Sequence, residues 1–102
     1  AQGIELDHRT DIYSTGVVLF EVFCGRLPFQ ADSALAVLNK HIREQPPKPS
    51  SLHQHIPPEL DRILLKAMAK NPAQRYANIS ELYSDLDAMS VEIAARLEKA
   101  TA

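Results

Sequence analysis

Seven prolines, placed in four groups, most constrain what this chain can fold into. Proline lacks a backbone N–H and clashes with the preceding helical turn, so each group ends a helix that reaches it. The groups lie at Pro28, at residues 46–49, at residues 57–58 and at Pro72. The stretches that they separate carry helical apolar spacing or capping residues, and the chain has no internal repeat. We therefore predict an all-α fold of about four helices, at residues 11–23, 33–44 and 58–70 and from residue 78 onward.

The first predicted helix, residues 11–23, is apolar on nearly every side. Thr10 or Asp11 is placed to cap its free N–H groups, and Gly25 is placed to end it in the left-handed conformation. The same stretch is rich in valine and phenylalanine, which also favour strands, and periodicity does not distinguish helix from strand in so short an apolar run. As a helix, it would be buried on most sides and would therefore lie at the centre of the fold.

The second predicted helix, residues 33–44, is amphipathic. Leu35, Leu38 and Ile42 fall on one narrow stripe, and Asp32 or Ser33 supplies the cap. This pattern is typical of a peripheral helix.

The third helix, residues 58–70, has the most regular pattern. Pro58 suits its first turn, and Asn71 followed by Pro72 supplies a stop. Its apolar side chains recur at i, i+3, i+4, i+7 and i+8, and they are Leu60, Ile63, Leu64, Ala67 and Met68.

The fourth helix starts near Asn78, whose side chain can cap it while Glu81 reaches back to a free N–H, as in a capping box. We divide the chain into one domain at residues 1–89 and a helical extension or linker at residues 90–102. The first half of this helix is expected to pack on the body, and a coiled coil stays open for the second half. Near-heptad apolar spacing runs through Ile79, Leu82, Leu86, Met89, Ile93 and Leu97.

Charge and cysteine content disfavour several classes of function. Eleven Lys and Arg against thirteen Asp and Glu give a formal charge of −2, without the basic stripe of a phosphate-backbone binder, so we expect no nucleic-acid partner. Cys24 is the single cysteine and lies in an apolar run, which predicts a buried, reduced thiol and a cytoplasmic location. No stretch approaches the ~20 apolar residues that cross a bilayer, and residues 1–11 lack the pattern of a signal peptide, so we expect no membrane contact from this segment.

Two blocks of sequence carry a family resemblance. The first is Asp11-Ile-Tyr-Ser-Thr-Gly16, continued at residues 25–29 by Gly-Arg-Leu-Pro-Phe, and the second is Lys70-Asn-Pro-Ala-Gln-Arg75-Tyr. In this order and separation they resemble the C-terminal lobe of protein kinases, and residues 56–70 and 78–82 resemble bacterial serine/threonine members in particular. The resemblance covers about residues 1–89. It implies a parent protein that transfers the γ-phosphoryl group of ATP to protein serine or threonine, with ATP and Mg²⁺ as the parent's cofactors.

The resemblance also assigns structural roles to Asp11, Gly16 and Arg75. Asp11 matches the residue that holds the catalytic loop in place by accepting hydrogen bonds from the backbone of that loop. Gly16 matches a packing position, and Arg75 matches the arginine that pairs with the glutamate of the Ala-Pro-Glu motif. Without those partners, Asp11 is expected to cap a helix, and Arg75 is expected to find another carboxylate or to face water.

The parts that perform catalysis in this family have no match in this sequence. The glycine-rich loop, the strand lysine, the catalytic aspartate loop and the metal-binding aspartate all lie upstream of the matched region. We therefore expect no catalytic, cofactor-binding or metal-binding residue in this chain, and we interpret it as a truncated domain that is inactive alone. Residues 33–44 match a helix that often docks substrates and regulators, so Leu35, Leu38 and Ile42 are candidate docking residues. An ordinary surface helix is the alternative.

Truncation would uncover the apolar first helix, so we also expect self-association through it, with exchange of a helix as one route. A free-standing helical protein-interaction module is an alternative function. A hydrolase built on His8, Asp11 and Cys24 is disfavoured, because the apolar setting of Cys24 opposes a thiolate. A metal site at His53 and His55 is disfavoured because no further ligands follow at a zinc-like spacing.

Overall fold

The computed structural model describes the backbone of residues 2–101 and the side chains of residues 8–99. Within that part of the chain the regular elements are all helical, which confirms the predicted all-α class. The stretch at residues 11–23 is helical and not a strand. The elements are α1 (Gln2–Cys24), α2 (Ala34–Arg43), α3 (Pro49–Leu52), α4 (Pro58–Ala67), a 3-10 helix (Pro72–Gln74) and α5 (Ile79–Thr101).

The helix α4 lies at the centre of the fold, in contact with α1, α3 and α5. The apolar positions predicted from its spacing are all fully buried, and they are Leu60, Ile63, Leu64, Ala67 and, just after the helix, Met68. The helix ends at Ala67 rather than at residue 70. A 3-10 turn at Pro72–Gln74 follows.

The helix α1 begins earlier than predicted. It starts at Gln2, so Thr10 and Asp11 lie inside it, and the prediction that one of them caps the helix is wrong. Residues 4–10 contain neither proline nor glycine, and nothing in their backbone preferences ends a helix before residue 11. A local capping pattern therefore identified a start that the chain does not use.

The helix α1 is also less enclosed than predicted. Ile12 and Phe20 are buried in the core, whereas Val18 and Val22, on the opposite side of the helix, are 60% and 71% exposed. Among the described residues α4, not α1, occupies the central position. One apolar face of α1 is left uncovered, and the central position of the first helix in a larger domain stays a prediction.

Two glycines fix the position of α1. A Cβ on Gly16 would lie 2.9 Å from Met68 Cγ and 3.0 Å from Ala67 Cβ, so glycine at this position allows α1 and α4 to approach closely. Gly25 has φ of 73° and its N–H donates to the carbonyl oxygen of Glu21 at 2.9 Å, which confirms the predicted left-handed end.

The caps of α2 and α5 agree with the sequence. Ser33 Oγ accepts a hydrogen bond from the N–H of Ala36 at 3.1 Å, and α2 is peripheral, with no buried residue. Asn78 Oδ1 accepts from the N–H of Glu81 at 3.0 Å, while Glu81 Oε2 accepts from the N–H of Ala77 at 3.3 Å, one residue before the predicted partner.

The helix α5 continues without a break to Thr101, so the extension that begins at residue 90 is helical where it is described. Leu82 and Met89 are buried against the core, and the division of the chain after residue 89 stays a prediction. Among residues 2–101, no helix combines the length and the apolar character that a membrane crossing requires.

Candidate functional site

The candidate site is a group of five side chains that we call the Arg75 cluster: Tyr13, Phe29, His41, Lys70 and Arg75. Tyr13 comes from α1, Phe29 from the turn after Gly25, His41 from α2, and the two cations from the segment after α4. A cleft of about 300 Å³ opens beside four of them. The cluster therefore brings the two motif blocks, which are far apart in the sequence, into one place.

The guanidinium of Arg75 donates three hydrogen bonds to backbone carbonyl oxygens. The acceptors are Ala69 at 2.7 Å, Arg9 at 3.1 Å and Lys70 at 3.3 Å. Its Cζ also lies 4.8 Å from the centre of the Tyr13 ring, at cation–π distance. The prediction that Arg75 finds a carboxylate or faces water is therefore wrong, because carbonyl oxygens and a ring face supply its partners.

Burial is the largest influence on the pKa of Arg75. It lowers the pKa of the guanidinium, Tyr13 opposes this change, and Arg9 acts in the same direction as burial. A guanidinium starts from so high a pKa that it stays protonated near neutral pH. The group thus acts as a permanent cation that joins α1 to the turn after α4.

Lys70 is the second cation of the cluster. Its Nζ lies 4.6 Å from the centre of the Phe29 ring and is buried without a hydrogen-bond partner among the described residues. Burial lowers the pKa of Lys70, and Arg75 adds to that effect, whereas Glu44 opposes it. Ring contact offsets only part of the cost of removing an ammonium group from water. Lys70 therefore carries a desolvation cost that its ring contacts offset only in part.

Tyr13 and His41 link α1 to α2. The Tyr13 hydroxyl and His41 Nδ1 are 2.7 Å apart, and the His41 ring stands edge-on to the Phe29 ring, with 4.8 Å between their centres. Burial lowers the pKa of His41, and Lys70 acts in the same direction. Burial raises the pKa of Tyr13, and Arg75 opposes it. Both side chains are therefore neutral at pH 7, and the link is a hydrogen bond between uncharged groups.

These properties define what the cluster can do. Its neutral members are held by aromatic contacts, and its cations are held by carbonyls and rings. Thr10 and Ile42 also line the cleft, where the Tyr13 hydroxyl is already bonded to His41 and the Arg75 guanidinium to backbone carbonyl oxygens. Such an arrangement positions α1, α2 and the turn after α4 relative to one another.

The other residues singled out from the sequence lie apart from this cluster. Asp11 is exposed on α1, and Gly16 is buried against α4. The α2 stripe points away from the body, since Leu35, Leu38 and Ile42 are 76%, 55% and 62% exposed. Its apolar side chains are therefore available for a contact, and the roles of all these residues stay predictions.

Cys24 is 2% exposed, which confirms the predicted buried thiol. Burial raises its pKa, which opposes formation of a thiolate. Asp11 lies on the same helix, and a rise of about 1.5 Å per residue separates the two by about 20 Å. This geometry argues against a hydrolase built on Cys24.

His53 has a structural contact that the sequence did not indicate. Its Nε2 lies 2.9 Å from the carbonyl oxygen of Cys24, so it ties the loop before α4 to the end of α1. In the part of the chain that the structure describes, no three His, Cys, Asp or Glu side chains are grouped as metal ligands would be.

Comparison with known proteins shows the family. A family model described as protein tyrosine and serine/threonine kinase matches residues 1–86. The chain belongs to the protein kinase family. The match confirms the resemblance carried by the two motif blocks, and it places the Arg75 cluster inside the matched kinase region.

Similar kinases come from several bacteria. The serine/threonine-protein kinase PknB of Mycolicibacterium smegmatis is 48% identical over 86 residues, which cover 84% of this chain and 14% of that protein. PknB of Mycobacterium tuberculosis is 45% identical over the same shares of the two chains. The serine/threonine-protein kinase pkn3 of Myxococcus xanthus is 40% identical over 94 residues, which cover 90% of this chain and 17% of that protein. The chain thus spans about a seventh of the length of the PknB relatives.

The kinase motif blocks contain Tyr13, Phe29, Lys70 and Arg75, but the resemblance assigns a role only to Arg75 among them. His41 lies on α2, outside both blocks. An aromatic cluster could have been predicted from the sequence. Tyr13, Phe29 and His41 all carry rings, and the turn at residues 25–29 brings the elements that carry them together.

Proposed function

We propose that this chain forms a helical scaffold segment in the C-terminal lobe of a bacterial-type serine/threonine protein kinase and that it does not transfer phosphoryl groups by itself. The observation that carries this proposal is the Arg75 cluster. In it the two family motif blocks meet, with Arg75 bonded to the backbone of α1 and stacked on Tyr13. The helical spacing and the matched relatives support the same conclusion.

Catalysis is assigned to other segments of the kinase. Phosphoryl transfer depends on groups that position ATP, Mg²⁺ and the substrate hydroxyl. The three glycines of this sequence are too far apart to form a glycine-rich phosphate loop. The kinase of which the scaffold is a part would bind ATP and Mg²⁺ and would phosphorylate serine or threonine of a protein.

A chimera tests the scaffold role. Residues 1–86 of this chain would replace the matched segment of PknB from Mycolicibacterium smegmatis, and transfer of radioactive phosphate from ATP to a serine/threonine peptide would be measured. We expect the chimera to be active, the Arg75→Met chimera to lose most activity, and the Arg62→Met chimera to keep it, because the Arg62 side chain is 64% exposed. A folded but inactive chimera would contradict the scaffold role.

The inactivity of the chain alone is tested separately. Calorimetric titration of the 102-residue chain with ATP and Mg²⁺ is expected to give no saturable signal, with intact PknB as the positive control. Saturable binding would contradict the second half of the proposal without affecting the first.

A free-standing helical interaction module is the second candidate function. One observation favours it, namely the outward-facing stripe of Leu35, Leu38 and Ile42 on α2. A module of that kind would not restore kinase activity in the chimera. The chimera experiment therefore distinguishes the two candidate functions. The α2 stripe is then tested by the Leu38→Asp substitution in the protein that proves active.

A further inference from the structure

Residues 30–45, which we call the α2 segment, contain no buried side chain. The segment lies between two buried residues, since Phe29 precedes it and Pro46 follows it. Among the described α-helices, the packed pairs join α4 to α1, α3 and α5 and α1 to α3, and α2 belongs to none of them. The α2 segment can therefore leave the body without uncovering the core.

Hydrogen bonds within the α2 segment hold it together. Ser33 Oγ caps α2, and the N–H of Glu44 donates to the carbonyl oxygen of Lys40 at 2.8 Å. Lys40 Nζ donates to the carbonyl oxygen of Gln30, also at 2.8 Å. A helix of ten residues is nevertheless marginal in water once it is detached from a body. We therefore expect the segment to form and to open as one cooperative unit.

One side chain makes the hydrogen-bonded contact between the α2 segment and the rest of the chain. Among the described residues, the hydrogen bond that crosses this boundary joins His41 Nδ1 to the Tyr13 hydroxyl, 2.7 Å apart. The His41 ring also stands edge-on to the rings of Tyr13 and Phe29, with 5.7 and 4.8 Å between the centres. His41 is therefore the point at which α2 is fastened to α1 and to the turn at residues 25–29.

We propose that the α2 segment opens as a unit while the core stays folded, and that the His41–Tyr13 contact is the latch that holds it closed. This inference does not depend on the proposed function, because every group in the latch lies in this chain. Opening moves the exposed stripe of Leu35, Leu38 and Ile42 independently of α1, α4 and α5. The candidate docking residues are thus carried by the part of the chain that detaches most readily.

Native-state hydrogen exchange of the 102-residue chain, followed for each amide by NMR, tests separate opening. Relative to an unfolded chain, the amides of α2 should exchange at least about tenfold faster than those of α4. Ile63→Val weakens the packing of a fully buried α4 residue and should speed exchange in α4 about threefold or more. Exchange in α2 should not change, because the core is intact while α2 is open. Equal acceleration of both helices, or equal protection in the parent chain, would overturn separate opening.

Tyr13→Phe tests the latch, since it removes the hydroxyl and keeps the ring that faces Arg75 and His41. Loss of this hydrogen bond should speed exchange in α2 about fivefold. Tyr83→Phe is the matched control, because it makes the same chemical change at a 69% exposed position on α5, and it should leave exchange in α2 unchanged. An unchanged rate in Tyr13→Phe would overturn the latch. Amides of α2 that exchange as fast as those of an unfolded chain would overturn it as well.

Discussion

Arg75 Nη1 donates a hydrogen bond to the carbonyl oxygen of Arg9 at 3.1 Å, across 66 residues of sequence. The acceptor lies in the middle of α1, where the carbonyl already serves the helix, so the bond uses its second lone pair. Arg75 belongs to the second motif block, and α1 carries the first. The contact therefore ties α1 to the turn after α4.

Replacing Arg75 with methionine should destabilise the chain by about 3 kcal/mol. Hydrogen bonds to charged groups are worth about 1.5–3 kcal/mol each, and bonds that share one guanidinium do not add fully. Urea unfolding followed by circular dichroism measures the change. Arg62→Met is the control, and loss of its exposed pair with Asp85, 3.2 Å apart, should cost at most about 1 kcal/mol. Equal effects of the two substitutions would contradict a special role for Arg75.

Gly16→Ala should destabilise the fold although alanine favours helices. The added Cβ would come within 3.0 Å of Ala67 Cβ, and overpacking of this kind costs about 1–3 kcal/mol, which outweighs the gain of about 1 kcal/mol in helix propensity. The midpoint of urea unfolding reports the net change. Ser14→Ala, at an exposed position of the same helix, should be neutral or slightly stabilising. If both substitutions stabilise the chain, α1 and α4 are not in close contact.

The link between Tyr13 and His41 should make stability depend on pH. The folded-state pKa of His41 is below its ordinary value of 6.5, so between the two values the unfolded chain binds more protons than the folded one. The stabilising contribution is complete above pH 6.5 and is lost as the pH falls through the folded-state pKa. None of the groups that face His41 stabilises its protonated form. Lys70 disfavours an imidazolium, and Tyr13 and Phe29 are uncharged.

Urea unfolding at about pH 7.5 and about pH 5.5 tests this dependence. The free energy of unfolding should fall on acidification, and His41→Asn should reduce the fall because the titrating group is gone. His55→Asn, at an exposed loop position, serves as the control and should keep the full pH dependence. An unchanged fall in His41→Asn would show that another group is responsible.

Removal of residues 90–102 should leave the domain folded. The loss includes the ion pair between Arg96 and Glu59, 2.8 Å apart and partly exposed, which is worth about 0–1 kcal/mol, and the partial burial of Ile93. Thermal unfolding of the shortened chain should show a cooperative transition at a modestly lower temperature. Arg96→Gln separates the ion pair from the packing. Loss of cooperative unfolding would place the extension inside the domain and would contradict the boundary after residue 89.

The sequence determined the features that depend on near neighbours in the chain. The burial of α4 followed from its i, i+3, i+4 spacing. Ser33 and Asn78 cap their helices through side-chain oxygens, and Gly25 ends α1 in the left-handed conformation. Each of these outcomes is decided within about one helical turn. The matched motif blocks likewise identified the family.

Tertiary structure alone decided the rest. The bond from Arg75 to the Arg9 carbonyl joins groups 66 residues apart, and the His41–Tyr13 link joins groups 28 residues apart. The start of α1 at Gln2 was likewise not indicated by the local capping residues. The central position of α4 and the open face at Val18 and Val22 depend on how the helices cross. Periodicity gives the apolar side of each helix, but which apolar sides meet is set by packing between distant parts of the chain.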